Sequence, residues 1–313
     1  MSQRLHVLKT YKMFVNGQFP RSESGRTIEL RTPEGKLLAH ASRASRKDLR
    51  DAVSAARAAF EGPGGWARRS PYNRGQILYR LAEMLEGKKQ ELEEAISALA
   101  PAGPANARPS KKPTKSAMRR PAALTPGLEA AACIDRLVVF AGWADKFAHV
   151  LGCQNPVAGP YYTFSVPEPR GVIGVIAPDA PALLPLVTLF GAAICSGNTV
   201  VALASHANPL PACVLAEAAA TSDLPPGVLN ILTGERDELL PHFASHGEID
   251  AIHAADLPAS HASTLRAGSE TNLKRVATFD LTPAQWLDHA AAAAPDAIER
   301  AVEIKTIWHP IGA

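Results

Sequence analysis

The sequence predicts an α/β fold built on a doubly wound parallel sheet. Three short runs rich in β-branched residues carry this prediction, and helix-length segments separate them; the runs lie within Glu168–Pro178, Ala193–Leu203 and Pro225–Gly234. Runs that are apolar along their whole length are typical of strands buried on both faces, as strands of parallel sheets are. The 313 residues, of which 46% are hydrophobic, are enough for one large domain or two modest ones.

Composition and charge exclude several classes of protein. The net charge of +3 is too small to indicate nucleic-acid binding by itself. The four cysteines show no CxxC spacing, which favours free thiols in a reducing compartment. The amino terminus lacks the apolar core of a signal peptide, and the longest apolar run, 180–195, is too short for a bilayer and contains two prolines. We therefore expect a soluble, cytoplasmic protein with no membrane segment.

Residues 1–100 are predicted to form a hairpin followed by helices. In Tyr11–Phe19 apolar residues alternate around an Asn-Gly turn, which is the pattern of a hairpin. Ser45 is placed to cap a helix, with Asp48 in the capping-box position. Residues 74–96 have the apolar spacing of one longer amphipathic helix.

Residues 101–127 differ sharply from the rest of the chain. They contain six prolines, six Lys or Arg residues and no acid. Such a stretch buries too little apolar surface to offset its chain entropy, so we expect a disordered basic linker. Binding to nucleic acid is disfavoured because no aromatic residue is interleaved with the charges. Docking to an acidic partner stays open as an alternative. A helical pattern resumes at Leu128 and runs to Phe147.

Residues 128–300 are assigned to the Rossmann-like domain that holds the sheet. Two strand-like segments, 159–168 and one within 301–313, stand apart from its core and could pair into an exposed sheet. Exposed edges of this kind tend to be covered by a partner. The candidate interface side chains are apolar: Tyr161, Tyr162, Phe164, Ile304, Ile307 and Trp308. For Trp308, core packing is an equally good interpretation.

Other reactive side chains fit simple structural roles. Cys195 and Cys213 lie on apolar helical patterns, where free cysteines are mostly small core residues. His242 and His246 have the i, i+4 spacing that can bind zinc on one helix face. Few further ligands lie nearby, so a solvated helix end is the preferred interpretation and no metal site is predicted.

Several motifs follow one another in a characteristic order. They are Val15–Gln18, Trp66 with Arg74, Trp143–Lys146, Glu168–Ile176, Gly197–Val201, Leu224–Gly234 and Asn272–Val276. In this order they resemble the aldehyde dehydrogenase superfamily over most of the chain. The resemblance implies its Rossmann-like nucleotide-binding domain with a small β oligomerisation arm. Three more segments, Ala177–Asp179, Thr221–Pro225 and Ile304–Pro310, resemble the degenerate second half of the two-module members, which accompanies a more complete catalytic module.

Departures from the family pattern concern catalysis first. The family places an Asn that polarises the developing oxyanion where this chain has Ala180, and its general base where this chain has Phe279. Losing one oxyanion donor typically slows acyl transfer by about 10²–10³. The family's catalytic thiol follows the base by some thirty residues, yet this sequence has no cysteine after Cys213. The resemblance thus implies a module without a catalytic domain and without catalytic residues.

The positions that the family uses for its dinucleotide also differ. Leu203 stands for a Lys that reaches the adenosine ribose, His206 stands for a Glu, and Asp256 replaces a glycine beside the pyrophosphate, where a carboxylate would repel phosphate. We therefore expect no cofactor.

The resulting functional hypothesis is a catalytically inactive subunit that assembles with itself or with a catalytic aldehyde dehydrogenase. Its role would be the assembly or regulation of an aldehyde dehydrogenase. The alternative is an NAD(P)-dependent oxidoreductase acting on aldehydes, weakly active or completed by a partner subunit.

Overall fold

The computed structural model describes residues 7–99, 124–293 and 295–312. The strands are β1 (Thr10–Tyr11), β2 (Thr27–Arg31), β3 (Leu37–Ser42), β4 (Cys153–Asn155), β5 (Tyr161–Pro169), β6 (Val172–Ile176), β7 (Thr199–Leu203), β8 (Leu229–Leu232), β9 (Ala251–Ala255), β10 (Arg275–Phe279) and β11 (Val302–Pro310). The helices are α1 (Arg46–Glu61), α2 (Pro71–Glu86), α3 (Lys89–Ala98), α4 (Pro126–Trp143), α5 (Phe147–Leu151), α6 (Leu184–Cys195), α7 (Leu210–Thr221), α8 (Arg236–Ser245), α9 (Ala259–Ser269), α10 (Pro283–Leu287), α11 (His289–Ala292) and α12 (Asp296–Glu299).

A five-stranded parallel sheet of order β10-β9-β6-β7-β8 forms the centre of the fold. Neighbouring residues of β6 alternate between its two faces: Ile173 packs in one apolar cluster and Val172 in the other. Helices α1, α8 and α9 supply residues to the cluster that contains Val172, whereas α2, α4, α6 and α7 supply the cluster that contains Ile173. The sheet is thus covered on both faces, which confirms the predicted doubly wound α/β fold. The α/β prediction from three apolar runs also missed two strands, β9 and β10.

Two smaller sheets flank the central one. The first has the order β1-β3-β2, and the second, antiparallel sheet has the order β11-β5-β4. In the second sheet β11 pairs with β5 over nine residues, from Val302 opposite Pro169 to Pro310 opposite Tyr161. The pairing of the two segments expected to lie apart from the core is therefore present. We call this β11-β5-β4 sheet the arm sheet.

The amino-terminal elements differ in part from the predictions. Asn16 and Gly17 do make a tight turn, with Val15 bridged to Gln18, but β1 pairs with β3 and Phe14 bridges to Ile231, so the segment is a turn docked on the core and not a two-stranded hairpin. The predicted helix 74–96 is two helices, α2 and α3, because α2 is capped at Gly87. The Ser45–Asp48 capping box is formed as predicted.

The boundary of the predicted linker also shifts. Most of 101–127 lies outside the described residues. At its end, however, α4 begins at Pro126, capped by the Thr125 hydroxyl that accepts from the Leu128 amide. Proline is favoured in the first turn of a helix, where its missing N–H costs no hydrogen bond. In the described parts of the chain no helix is long and apolar enough to cross a membrane.

Candidate functional site

The five substituted positions meet at one edge of the central sheet. Leu203 and Phe279 end β7 and β10, Asp256 directly follows β9, and Ala180 and His206 lie in the loops after β6 and β7. Because these strands are parallel, their carboxyl ends share one edge. Open α/β sheets bind ligands at this edge, next to the strands from which the chain connections lead to opposite sides of the sheet. The chain leaves β6 towards β7 and β8 on one side, and β9 and β10 lie on the other.

Ala180 and Asp179 lie exposed in the loop that follows β6. The methyl group of Ala180 offers no hydrogen-bond donor. The neighbouring carboxylate is held by Arg236 at the start of α8, with Nη2 to Oδ1 at 2.8 Å and Nη1 to Oδ2 at 3.0 Å. Arg236 also donates to the Ala177 carbonyl at 2.9 Å. Burial raises the pKa of Asp179, but the Arg236 guanidinium outweighs it and keeps that pKa below its ordinary value.

This Asp179–Arg236 ion pair was missed by the sequence interpretation. Asp179 was noticed only as part of a motif, and Arg236 has no spacing signal that links it to a residue 57 positions earlier in the chain. The pair is brought together by the parallel sheet, which places the loop after β6 beside the amino terminus of α8.

Leu203 and His206 occupy the neighbouring loop and have different surroundings. Leu203 is 1% exposed and packs in the cluster on the α1 and α8 face of the sheet. His206 is largely exposed, with its Nδ1 3.4 Å from the carboxylate of Glu235. Leu203 contributes apolar packing, and of the two only His206 presents a polar group at the sheet edge.

Asp256 is bonded to the chain's own donors. Its Oδ1 accepts from the Leu281 amide at 3.0 Å and its Oδ2 from the Trp286 indole Nε1 at 2.9 Å. Its φ of +47° is in the left-handed region, which few residues other than glycine, Asn and Asp adopt. Burial raises the pKa of this carboxyl group, and the two hydrogen bonds only partly oppose that effect. Asp256 therefore holds the segment after β10 in place. The sequence interpretation had placed Asp256 beside the phosphates of a dinucleotide and did not indicate this role.

Trp286 and Arg136 hold the same segment against the core. The Trp286 side chain is fully buried in the main core. Arg136 of α4, also fully buried, donates to the Trp286 carbonyl at 2.6 Å, to the Thr188 hydroxyl at 2.8 Å and to His289 Nδ1 at 3.2 Å. Burial lowers the pKa of Arg136 to about 10, so the guanidinium stays charged at neutral pH.

Phe279 occupies the general-base position that the resemblance implies. Its ring stands edge to face with the His253 imidazole, with 5.8 Å between ring centroids, and the Arg300 guanidinium carbon lies 5.2 Å from its centroid. A phenyl ring in such a contact stabilises a cation and cannot accept a proton.

His253 is buried beside it on β9 and should make stability depend on pH. Its Nε2 lies 3.2 Å from the Arg300 carbonyl, and burial lowers its pKa from 6.5 to about 4. Between these values the folded state binds fewer protons than the unfolded chain. The stability is therefore complete above pH 6.5, falls as the pH drops towards 4, and levels off below it, a loss of about 3 kcal/mol.

Urea unfolding of the wild type and of His253→Gln at pH 7, 6, 5 and 4 measures this effect. We expect the variant to lose less stability than the wild type over this range, while His149→Gln, at an exposed position on α5, follows the wild type. Coincident profiles for the wild type and His253→Gln would show that His253 becomes protonated in the folded protein.

The candidate interface residues form two groups on opposite faces of the arm sheet. The register pairs Ile307 with Phe164 and Trp308 with Thr163, so side chains alternate between faces. Tyr161, Ile304 and Trp308 share one face, where Tyr161 and Trp308 meet edge to face at 5.8 Å. Tyr162, Phe164 and Ile307 share the other, with Tyr162 and Phe164 centroids 5.6 Å apart. Trp308 is 58% exposed, which excludes the core-packing alternative within this chain.

The two cysteines on apolar helical patterns are core residues, as predicted, and the two histidines lie at a helix end. Cys195 and Cys213 are buried, and burial raises the pKa of both thiols to about 12. His242 lies in the last turn of α8 and His246 directly follows the helix. Within the described ranges no cluster of His, Cys, Asp and Glu could hold a metal ion.

Comparison with known proteins identifies relatives over most of the chain. The sequence profile of the Aldehyde dehydrogenase family matches residues 19–108 and 114–278. Retinal dehydrogenase 2 of Gallus gallus is 33% identical over 270 residues, which are 86% of this chain and 48% of the relative. Aldehyde dehydrogenase family 2 member B4, mitochondrial, of Arabidopsis thaliana is 32% identical over 266 residues, 85% of this chain and 45% of the relative. The chain thus spans about half the length of the curated relatives it matches.

Solved structures give the same picture. The NAD+ complex of an aldehyde dehydrogenase from Bacillus cereus superposes with a TM-score of 0.73 at 26% identity, over 87% of this chain and 51% of that one. The expectation of no cofactor is therefore wrong: the matched family and this neighbouring structure indicate NAD(P)-dependent enzymes. That expectation depended on Leu203, His206 and Asp256 alone, and three side chains do not outweigh a fold shared over most of the chain.

Proposed function

Because the chain belongs to the aldehyde dehydrogenase family, we propose that it is a subunit acting in the assembly or regulation of an aldehyde dehydrogenase and does not itself catalyse aldehyde oxidation. Ala180 and Phe279 support the second half of this proposal. They lie at the sheet edge where the family resemblance puts an oxyanion donor and a base. The methyl group of Ala180 cannot donate a hydrogen bond to an oxyanion, and the phenyl ring of Phe279 cannot accept a proton as a base does. The resemblance to the degenerate second module of two-module members points the same way.

The observation that carries the assembly role is the surface of the arm sheet. Its two faces expose aromatic and aliphatic groups, among them Trp308 at 58%, Ile304 at 46% and Tyr162 at 44%. Among the described residues no strand pairs with the outer edge of β11, which is nine residues long. A long apolar edge strand left open promotes aggregation, so such edges are normally covered. We propose that a second copy of this chain or a catalytic aldehyde dehydrogenase covers it.

Replacing Trp308 with serine tests this proposal. We expect the purified wild type to show at least twice the mass of one chain in size-exclusion chromatography with light scattering, or to carry a dehydrogenase subunit with it. Removing a buried interface tryptophan costs about 2 kcal/mol or more, so Trp308→Ser should dissociate at concentrations about thirtyfold higher.

The matched control is Tyr72→Ser, which removes another exposed aromatic, on α2, far along the chain from the arm sheet. Tyr72→Ser should assemble as the wild type does. A wild type that is strictly monomeric at all concentrations, with no dehydrogenase bound, would refute the assembly role.

A second candidate function is that of an NAD(P)-dependent oxidoreductase acting on aldehydes, completed by a partner subunit. The match to an NAD+ complex favours it. In this chain Leu203 is buried and apolar and both carboxylate oxygens of Asp256 are bonded within the chain, so other groups at the sheet edge would hold the dinucleotide.

Calorimetric titration with NAD+ and with NADP+ distinguishes the two functions. The oxidoreductase predicts a dissociation constant below about 100 μM, which corresponds to about 5.5 kcal/mol, and aldehyde-dependent reduction of the dinucleotide once the partner subunit is added. If a dinucleotide binds but no reduction follows with the partner present, the regulatory function is supported, with the dinucleotide as a ligand of the subunit.

A further inference from the structure

A groove between α1 and α8 is the strongest feature that the proposed function leaves unused. It encloses a cavity of about 570 Å³. Its walls carry Arg46, Lys47 and Arg50 from α1, His242 from α8 and His246 directly after it, with Glu23 as the acidic residue of the lining. None of the five substituted positions at the sheet edge lines it. We call it the basic groove.

Side chains that can donate hydrogen bonds to an anion face each other across the basic groove, and burial lowers the pKa of His246, so this imidazole is neutral at neutral pH. Arg46 and Arg50 are four residues apart on α1, so they lie on one face of that helix, whereas His242 lies in the last turn of α8 and His246 directly follows it. Like charges at this spacing destabilise a helix slightly. In the described parts of the chain neither Arg46 nor Lys47 takes part in an ion pair, and Arg50 contacts only the adjacent Asp51 at 3.1 Å.

Two further acidic groups nearby, Glu23 and Asp48, accept hydrogen bonds from residues at or near the start of α1. Glu23 accepts from the Ser45 hydroxyl at 3.0 Å. Asp48 accepts from the Ser22 hydroxyl at 2.7 Å and from the Ser45 amide at 2.8 Å. These hydrogen bonds hold both carboxylates at the start of α1, and among the described residues neither carboxylate forms an ion pair with Arg46 or Lys47.

The negative end of α8 is neutralised as well. The Lys274 ammonium group donates to the carbonyls of Phe243, Ala244 and His246 at 3.0, 2.9 and 2.7 Å. These carbonyls would otherwise carry the partial negative charge of the helix end into the basic groove. Because Lys274 lies outside the lining and satisfies these carbonyls, Glu23 is the negatively charged group left in the walls, beside Arg46, Lys47 and Arg50.

We propose that the basic groove binds a multiply charged phosphate compound of the diphosphate class. Guanidinium groups match phosphate oxygens in bidentate geometry, and two arginines one helical turn apart can hold two phosphoryl groups. The imidazole N–H groups of His242 and His246 supply donors from the opposite wall. The cavity volume lies within the range of small-molecule sites, about 300–1,000 Å³. Binding of the anion would remove the repulsion between Arg46 and Arg50, which lie one turn apart on α1.

Calorimetric titration of the full chain with inorganic pyrophosphate at low salt tests the proposal. The wild type should bind one equivalent saturably, and the double variant Arg46→Gln/Arg50→Gln should bind at least about tenfold more weakly, because it loses two charge-assisted contacts. The control Arg68→Gln/Arg266→Gln removes the same charge from exposed arginines on α9 and beside α2, and should bind as the wild type does.

A second variant tests the opposite wall without touching α1. We expect His242→Gln to weaken pyrophosphate binding about threefold, and all variants to keep the wild-type thermal midpoint within a few degrees. The proposal is overturned if the wild type shows no saturable binding, or if the two arginine pairs give equal losses, which would indicate a general charge effect. It is also overturned if His242→Gln binds as tightly as the wild type.

Discussion

Replacing Trp286 with alanine is expected to lower the free energy of unfolding by about 3–5 kcal/mol. The Trp286 side chain is fully buried in the main core, and its indole donates to Asp256 at 2.9 Å. The alanine variant therefore leaves a large cavity and, beside it, a carboxylate that has lost one of its two donors. Urea unfolding followed by far-ultraviolet circular dichroism measures the change.

Two control variants separate packing from hydrogen bonding. Trp286→Phe keeps most of the buried area and loses only the indole N–H, so it should cost about 1–3 kcal/mol. Tyr72→Ala truncates an aromatic side chain that is 67% exposed and should change stability by about 0.5 kcal/mol or less. A loss below about 1 kcal/mol in Trp286→Ala would contradict the packing of α10 against the core.

Replacing Arg136 with methionine is expected to cost about 2–4 kcal/mol and to loosen the chain from α10 to α12. Methionine fills much of the arginine volume, but it leaves the Trp286 carbonyl and the His289 Nδ1 without their buried donor. Unsatisfied buried acceptors of this kind cost about 1–3 kcal/mol each. Hydrogen–deuterium exchange of residues 283–292, measured together with urea unfolding, detects both effects.

The control for this prediction is Arg68→Met, which removes an exposed arginine and should leave stability and exchange unchanged. If Arg136→Met left exchange in 283–292 at the wild-type rate, the guanidinium would not hold this segment. Arg136→Lys should lie between the two, because lysine keeps the charge but cannot reach three acceptors in a plane.

These two predictions concern the part of the protein that sequence reasoning described least well. Asp256 was interpreted as a residue that repels a phosphate, because it replaces a glycine of the family pattern. The structure gives its carboxylate two donors from residues 25 and 30 positions later in the chain. No periodicity or motif connects residues so far apart, and the contact exists only because the segment after β10 folds back over the sheet edge.

Local pattern was enough where a structure depends on neighbouring residues. The capping box at Ser45 and Asp48 needs only a spacing of three, and it is formed. The break between α2 and α3 was missed because the apolar stripe continues across Gly87. In the structure α2 ends there, and the amides of Gly87 and Lys88 donate to the carbonyls of Glu83 and Leu85. The strands β9 and β10 were missed because their alanine and polar residues weaken the apolar signal, although β9 is buried along its length.

The sequence by itself determined the α/β class, the parallel strands, the pairing of two remote strand segments and the family. These follow from apolar runs, turn residues and motifs in order, which are local properties of the chain. Only the tertiary structure decided that Asp179 pairs with Arg236, that Asp256 accepts from Trp286, and that the arginines of α1 face His242 and His246 across the basic groove. Each of these depends on which elements the sheet places side by side. The residues that pair with a charged side chain, or that leave it unpaired, are distant from it in sequence.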